Sequence, residues 1–207
     1  MSVIEGGPST AGLVQRVQNI LLKPGAEWQV IAGETATTQS LFTGYACILA
    51  AIPAIARVIG EFVPVCFFGV CVHYNPLFIV IGGIVYYILN LVAVYVIGLI
   101  IDALAPSFGG EKNPVQSMKV AVYSFTAAWL AGVFAILPAL AILGIVGLYS
   151  FYLLYVGLPV LTKAPSDKSL GYTAVSIICG IVVFAVLGVI SGAVTSMGAG
   201  APVVGIR

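Results

Sequence analysis

The chain has 207 residues, of which 61% are hydrophobic and 7% charged, and its mean hydropathy is +1.16. A soluble domain carries roughly 25% charged residues, so lipid rather than water must cover most of this surface. A net charge of +1 also argues against nucleic acid as a partner, since phosphate binding needs clustered Lys and Arg.

The first 38 residues contain no apolar run behind a basic start, so no cleavable signal peptide is expected and the first span acts as its own insertion signal. Gly6, Gly7, Pro8 and Ser9 suggest a loose tail. Residues 11–23 read as a short amphipathic helix. Leu13, Val17, Ile20 and Leu21 recur at helical spacing, and Gln15, Arg16, Gln18 and Asn19 fill the other face. Thr10 caps its start, and Pro24-Gly25 is expected to stop it. It is too short to span. It suits either a helix lying on the membrane surface or a packing helix over the ends of a bundle. Trp28 suits the headgroup level.

Five spans follow, near residues 40–59, 77–101, 119–137, 143–161 and 172–194. A hydrocarbon core needs about 20 apolar residues per helix. The 43 uncharged residues between Lys119 and Lys163 therefore make two spans and a tight turn. Pro138 and Gly144 bracket the expected break. Arg16, Lys23, Lys112, Lys119, Lys163 and Lys168 fall on one side of this layout, against Arg57 and Arg207 on the other. The positive-inside rule puts the N-terminus in the cytoplasm and the C-terminus outside. The fold class is therefore all-α: a polytopic membrane helix bundle of five transmembrane helices with a short N-terminal amphipathic helix. Residues 1–38 form a cytoplasmic segment, 39–195 the membrane domain and 196–207 a C-terminal tail.

Candidate sites are few. Cys66 and Cys71 share an outward loop with His73. An oxidising compartment favours a disulfide, and two unpaired buried thiols are the alternative; three ligands are too few for closed tetrahedral zinc. Arg57 and Glu61, four apart on one helix face, suit an ion pair that anchors the first span. Asn90 is the one amide deep in a span, accompanied by Tyr86, Tyr87 and Tyr95. It suits an interhelical hydrogen bond or, with Tyr86, Tyr152 and Tyr155, an intramembrane polar site. Gly188, Gly192 and Ser196 form a ridge of small residues on which another helix can pack, inside the monomer in preference to a second copy. Cys47 and Cys179 lie in spans and read as small apolar residues. No nucleophile has a base beside it, no glycine-rich phosphate loop is present, and no carboxylate lies within the hydrocarbon. The sequence therefore points to a non-enzyme without a cofactor.

The order and spacing of several short motifs go further. Gly109 and Gly110 precede Asn113 and Gln116. Then come Tyr123-Ser124, Trp129-Leu130-Ala131-Gly132, Pro138, Tyr149-Ser150, the run from Tyr152 to Gly157, the segment Pro165–Lys168, and Tyr172-Thr173. The stretch Ile20–Trp28 adds a Lys-Pro followed by Trp. This series resembles the bacterial branch of the Yip1 family over nearly the whole chain. It departs from the family at Thr126-Ala127-Ala128, where the proline usual after the tyrosine-serine pair is missing. The resemblance implies a five-helix bundle with a cytoplasmic N-terminus. Eukaryotic members act in Golgi and endoplasmic reticulum trafficking, bind small GTPases and form complexes with related proteins. The expectation is a bacterial inner-membrane scaffold or membrane-organisation factor. Its partners are the lipid bilayer and a membrane protein or a second copy. A small-solute or lipid transporter, or an accessory subunit of one, is the alternative.

Overall fold

The computed structural model describes residues 10–63, 65–67, 70–72, 75–197 and 203–204; His73 and the side chains of Cys66 and Cys71 lie outside the described residues. Its elements begin and end where the local chemistry allows. Helix α1 is Thr10–Leu22 and α2 is Pro24–Gly33. Pro24 was expected to stop a helix, and it also starts one. At the first helical position its missing N–H is no loss and its φ is already helical.

The spans are α3 (Thr38–Glu61), α4 (Pro76–Phe108), α5 (Pro114–Ile136), α6 (Ile142–Thr162) and α7 (Ser166–Ser196). Thr37 caps α3 through a reciprocal box with Ser40. Asn75 and Asn113 cap α4 and α5, each followed by a proline in the first turn. The α5–α6 turn spans residues 137–141, overlapping the expected break between Pro138 and Gly144. Leu137 is extended, as the residue before a proline prefers. Both arms adjoining it, Gly132–Ile136 and Pro138–Leu148, are wound as tighter 3₁₀ helix. Helix α7 starts at Ser166, six residues before the expected Tyr172.

The loop after α3 holds the chain's small sheet. Strand β1 (Val65–Phe67) pairs antiparallel with β2 (Val70–Val72), which pairs antiparallel with β3 (Val203–Val204). Cys66 is the register partner of Cys71. At the other end of the bundle, Gly109 at φ 75° turns the chain out of α4, and Lys163 at φ 54° ends α6. Lys163 pairs with Glu111 at 2.7 Å, an exposed contact that contributes little stability.

Close backbone approach draws α3 and α4 onto α5. A Cβ on Gly132 would meet Pro53 of α3. One on Gly60 would meet the Ala135 carbonyl at the hairpin tip. One on Gly98 of α4 would lie 2.7 Å from the Met118 sulfur. In its most apolar stretch α5 is 56% buried, against 11% for α7.

The N-terminal pair packs beside the spans rather than across the bundle end. Its α2 packs along the flank of α6, with Ile20, Trp28 and Ile31 fully buried against α5 and α6. Trp28 was expected at the headgroup level. Its ring is fully buried and fills the notch left by Gly157, where a Cβ would sit 2.6 Å from the indole. The Tyr149 hydroxyl donates to the Leu21 carbonyl at 3.0 Å. Tyr149 lies thirteen residues before Thr162, about 20 Å along α6 from that end.

Candidate functional site

Three groups of polar side chains meet inside this frame. The first ties α2 to the spans. Arg16 pairs with both Glu27 and Glu34 and stacks its guanidinium over the Tyr123 ring, 5.8 Å from its centroid. Burial opposes the guanidinium charge, but the hydrogen bond and negative charge of Glu34, with Glu27 beside it, hold its pKa above the ordinary value. Lys119, 1% exposed, donates to the Ile31 carbonyl at 2.8 Å and the Glu34 carbonyl at 2.6 Å. An ammonium is stabilised at a helix C-terminus, where unpaired carbonyls carry partial negative charge. Gln116 adds a bond to the Ala32 carbonyl at 3.0 Å. Lys119, which marks a membrane surface in the sequence, is thus also the clamp on the end of α2.

The second group lies at the opposite end of the bundle. Arg57 and Glu61 pair at 2.7 Å. The Arg57 guanidinium sits over the Tyr86 ring at 5.0 Å and donates to the Ser191 hydroxyl at 3.3 Å. The contacts join α3, α4 and α7 through one cation.

The third group is at mid-depth. The Trp129 indole donates to the Asn90 Oδ1 at 2.8 Å, and both side chains are buried. Beside them is a cavity of about 430 Å³ lined by residues of all five spans. Asn90, Ser124, Ser150 and Ser176 come to its walls from α4, α5, α6 and α7 in turn, and none of its lining residues is charged. Ser150 is engaged through its hydroxyl, which accepts the Ala128 N–H at 2.9 Å.

Tyr86 and Asn90 line this cavity together. Tyr152 and Tyr155 are not among its lining residues; they are 49% and 42% exposed on the outer face of α6. The ridge on α7 also stands apart. A Cβ on Gly188 or Gly192 would meet nothing within 4 Å and Ser196 is exposed, so no described part of the chain packs on it. The reason is the lean of α7, which meets the bundle mainly along α4 and leaves its far end open. Cys47 and Cys179 are half-buried free thiols. Among the described residues no three His, Cys, Asp or Glu side chains come together as metal ligands.

Sequence reasoning missed the Arg16–Glu27–Glu34–Lys119 cluster and the Trp129 partner of Asn90. The signal for the cluster was available. Glu27 lies on α2 and Glu34 caps its end, and in so apolar a chain each carboxylate needs a cation.

This architecture of five spans and a docked N-terminal pair is matched in sequence. Residues 19–187 fit the Yip1 domain. The chain belongs to the Yip1 family. Within it, the chain is similar to the inner membrane protein YohC of Escherichia coli strain K12, with 26% identity over 180 residues, 84% of this chain and 92% of that protein. The protein of the same name from E. coli O6:H1 strain CFT073 gives the same figures. No solved structure matches. The Yip1 match takes in α2, the Lys119 clamp and the whole mid-depth cavity. It ends at Leu187, so the α7 ridge lies beyond it.

Proposed function

We propose that this Yip1 protein is a non-catalytic organiser of a bacterial inner membrane, with its N-terminus in the cytoplasm, acting through the α1–α2 pair. One observation carries this reading: the pair docks along the flank of α5 and α6, reaching the level of Tyr149. Its outward face is mixed. Val14, Leu22 and Val30 are exposed among Gln15, Gln18, Lys23 and Gln29. Such a face in one leaflet draws headgroups and water down toward its polar groups and spreads the lipids around its apolar ones. The other leaflet has no counterpart among the described residues. The result is a thinned, asymmetric collar of lipid that favours curvature and attracts partners sensitive to it.

Reconstitution tests this. Chains added to large unilamellar vesicles at rising protein-to-lipid ratio are expected to narrow vesicle diameter in cryo-electron micrographs. Gln15→Leu with Gln18→Leu and Gln29→Leu should reduce the effect while leaving the folded bundle in place. Vesicles of unchanged diameter at every ratio would remove the reading.

The β1–β2 ribbon supports a disulfide on its own grounds. Directly opposed residues of an antiparallel pair have Cα atoms about 4.5–5.5 Å apart, inside the range a disulfide bridges. Thiol labelling of unreduced membranes should find Cys66 and Cys71 blocked, and labelling of both without reductant would refute the bridge.

A further inference from the structure

The mid-depth cavity has a shape and chemistry that the organiser reading does not use. Its volume, about 430 Å³, lies in the range of small-molecule sites rather than packing defects. Its depth restricts what can enter. Asn90 is twelve residues from Asp102. That distance is about 18 Å of helix, which places Asn90 near the middle of a hydrocarbon core.

The cavity opens sideways. Leu148 and Phe151 on α6 and Ile181 on α7 both line it and are substantially exposed, at 54%, 40% and 57%. They frame a mouth between α6 and α7 that faces lipid. Behind the mouth, Gly147 lines the cavity against α5 and the buried Gly180 lines it facing Ile97 of α4. A Cβ on Gly180 would touch only the Ile97 side chain, at 3.7 Å, so the space there is real. The floor is polar but satisfied where it matters most, because Asn90 Oδ1 already accepts from Trp129. The Ser124 and Ser176 hydroxyls are buried without a partner and turn no accessible surface to the cavity. What remains exposed inside is almost wholly apolar side chain, with no charge to hold a headgroup or an ion.

We infer that this cavity is a binding site for one lipid acyl chain, which enters from the bilayer between α6 and α7 and lies against Trp129. An uncharged, water-poor cleft open only to lipid is filled most favourably by a flexible hydrocarbon. A solute bearing charge would lose its hydration there without compensation. The headgroup stays in the leaflet, outside the mouth. This assigns a lipid-binding role to the side of the bundle that the N-terminal pair does not cover.

The chain's two tryptophans make the test direct, because Trp28 does not line the cavity and Trp129 does. The full chain is reconstituted into phospholipid with brominated acyl chains, which quench indole fluorescence at near contact. The Trp129 contribution is the difference between wild type and Trp129→Phe. Quenching of Trp129 to less than half its intensity is expected, despite its 1% exposure. Gly180→Phe, which fills the cavity beside Ile97, should restore most of that intensity. Val189→Phe, on the open face of α7, should restore none. Unquenched Trp129 in the wild type would overturn the site. So would equal quenching in wild type and Gly180→Phe, with circular dichroism showing the variant folded. If Trp129→Phe fails to fold, Trp28→Phe leaves Trp129 as the sole indole, and the same two outcomes decide.

Discussion

Helices α5 and α7 are both long, apolar and free of charge through their middles, yet one is 56% buried and the other 11%. The exposed α7 is the more apolar of the two, and what buries α5 is the set of neighbours shaped to meet it. On α5, Gly132 accepts Pro53, Met118 fills the space beside Gly98, and Trp129 and Tyr123 reach across to α4, α3 and α2. On α7, Gly188 and Gly192 meet nothing within 4 Å. In lipid there is no hydrophobic drive between helices, so association depends on shape and hydrogen bonding. A small residue matters only where something is shaped to meet it. Apolar periodicity reports that a helix is in the membrane and is silent on whether protein or lipid covers it.

That contrast can be broken by substitution, with stability read as resistance to heat or denaturing detergent. The largest expected effect is at Trp28. Its indole nitrogen has no hydrogen-bond partner, so its whole contribution is packing. Trp28→Ala should lose about 3–5 kcal/mol, the usual cost of emptying a buried aromatic site. Next is Gly157→Leu, which drives a side chain into that indole. Overpacking of this kind costs about 1–3 kcal/mol, and here it should also release α2, seen as new protease sensitivity in residues 10–33. Asn90→Leu strands the Trp129 N–H and should cost about 0.6–2 kcal/mol, the range of interhelical hydrogen bonds in membranes. The smallest effect is at the open ridge. Gly192→Leu should stay within about 0.5 kcal/mol of wild type, as surface changes do. A large loss there, or a change in oligomeric mass, would show that a partner covers α7 and would erase the contrast.

Much of the frame was legible in the sequence. Charge placement and apolar run length gave five spans in the right order, and four-residue spacing brought Arg57 and Glu61 together at 2.7 Å. What failed did so for local reasons. Pro24 carries the same signal at the end of one helix as at the start of the next. The full burial of Trp28 had no local signal, because the absence of a Cβ at Gly157, 129 residues away, admits it. The small-residue ridge on α7 has the right spacing for packing, but spacing carries no information about what stands opposite. The cavity beside Asn90 was invisible because its lining is drawn from five separate spans.

The central claim is that the N-terminal pair sits beside the spans within one leaflet rather than over their ends. A nitroxide at Leu22→Cys, a position 78% exposed at the far end of α1, tests it most directly in a background without the native cysteines. Electron paramagnetic resonance in liposomes would compare its collisions with oxygen, which concentrates in hydrocarbon, and with a water-soluble nickel chelate. High oxygen and low nickel accessibility, well separated from a reference label at Lys112→Cys, is the result this structure predicts. A label at residue 22 as open to nickel as the one at residue 112 would put the pair in water and contradict it.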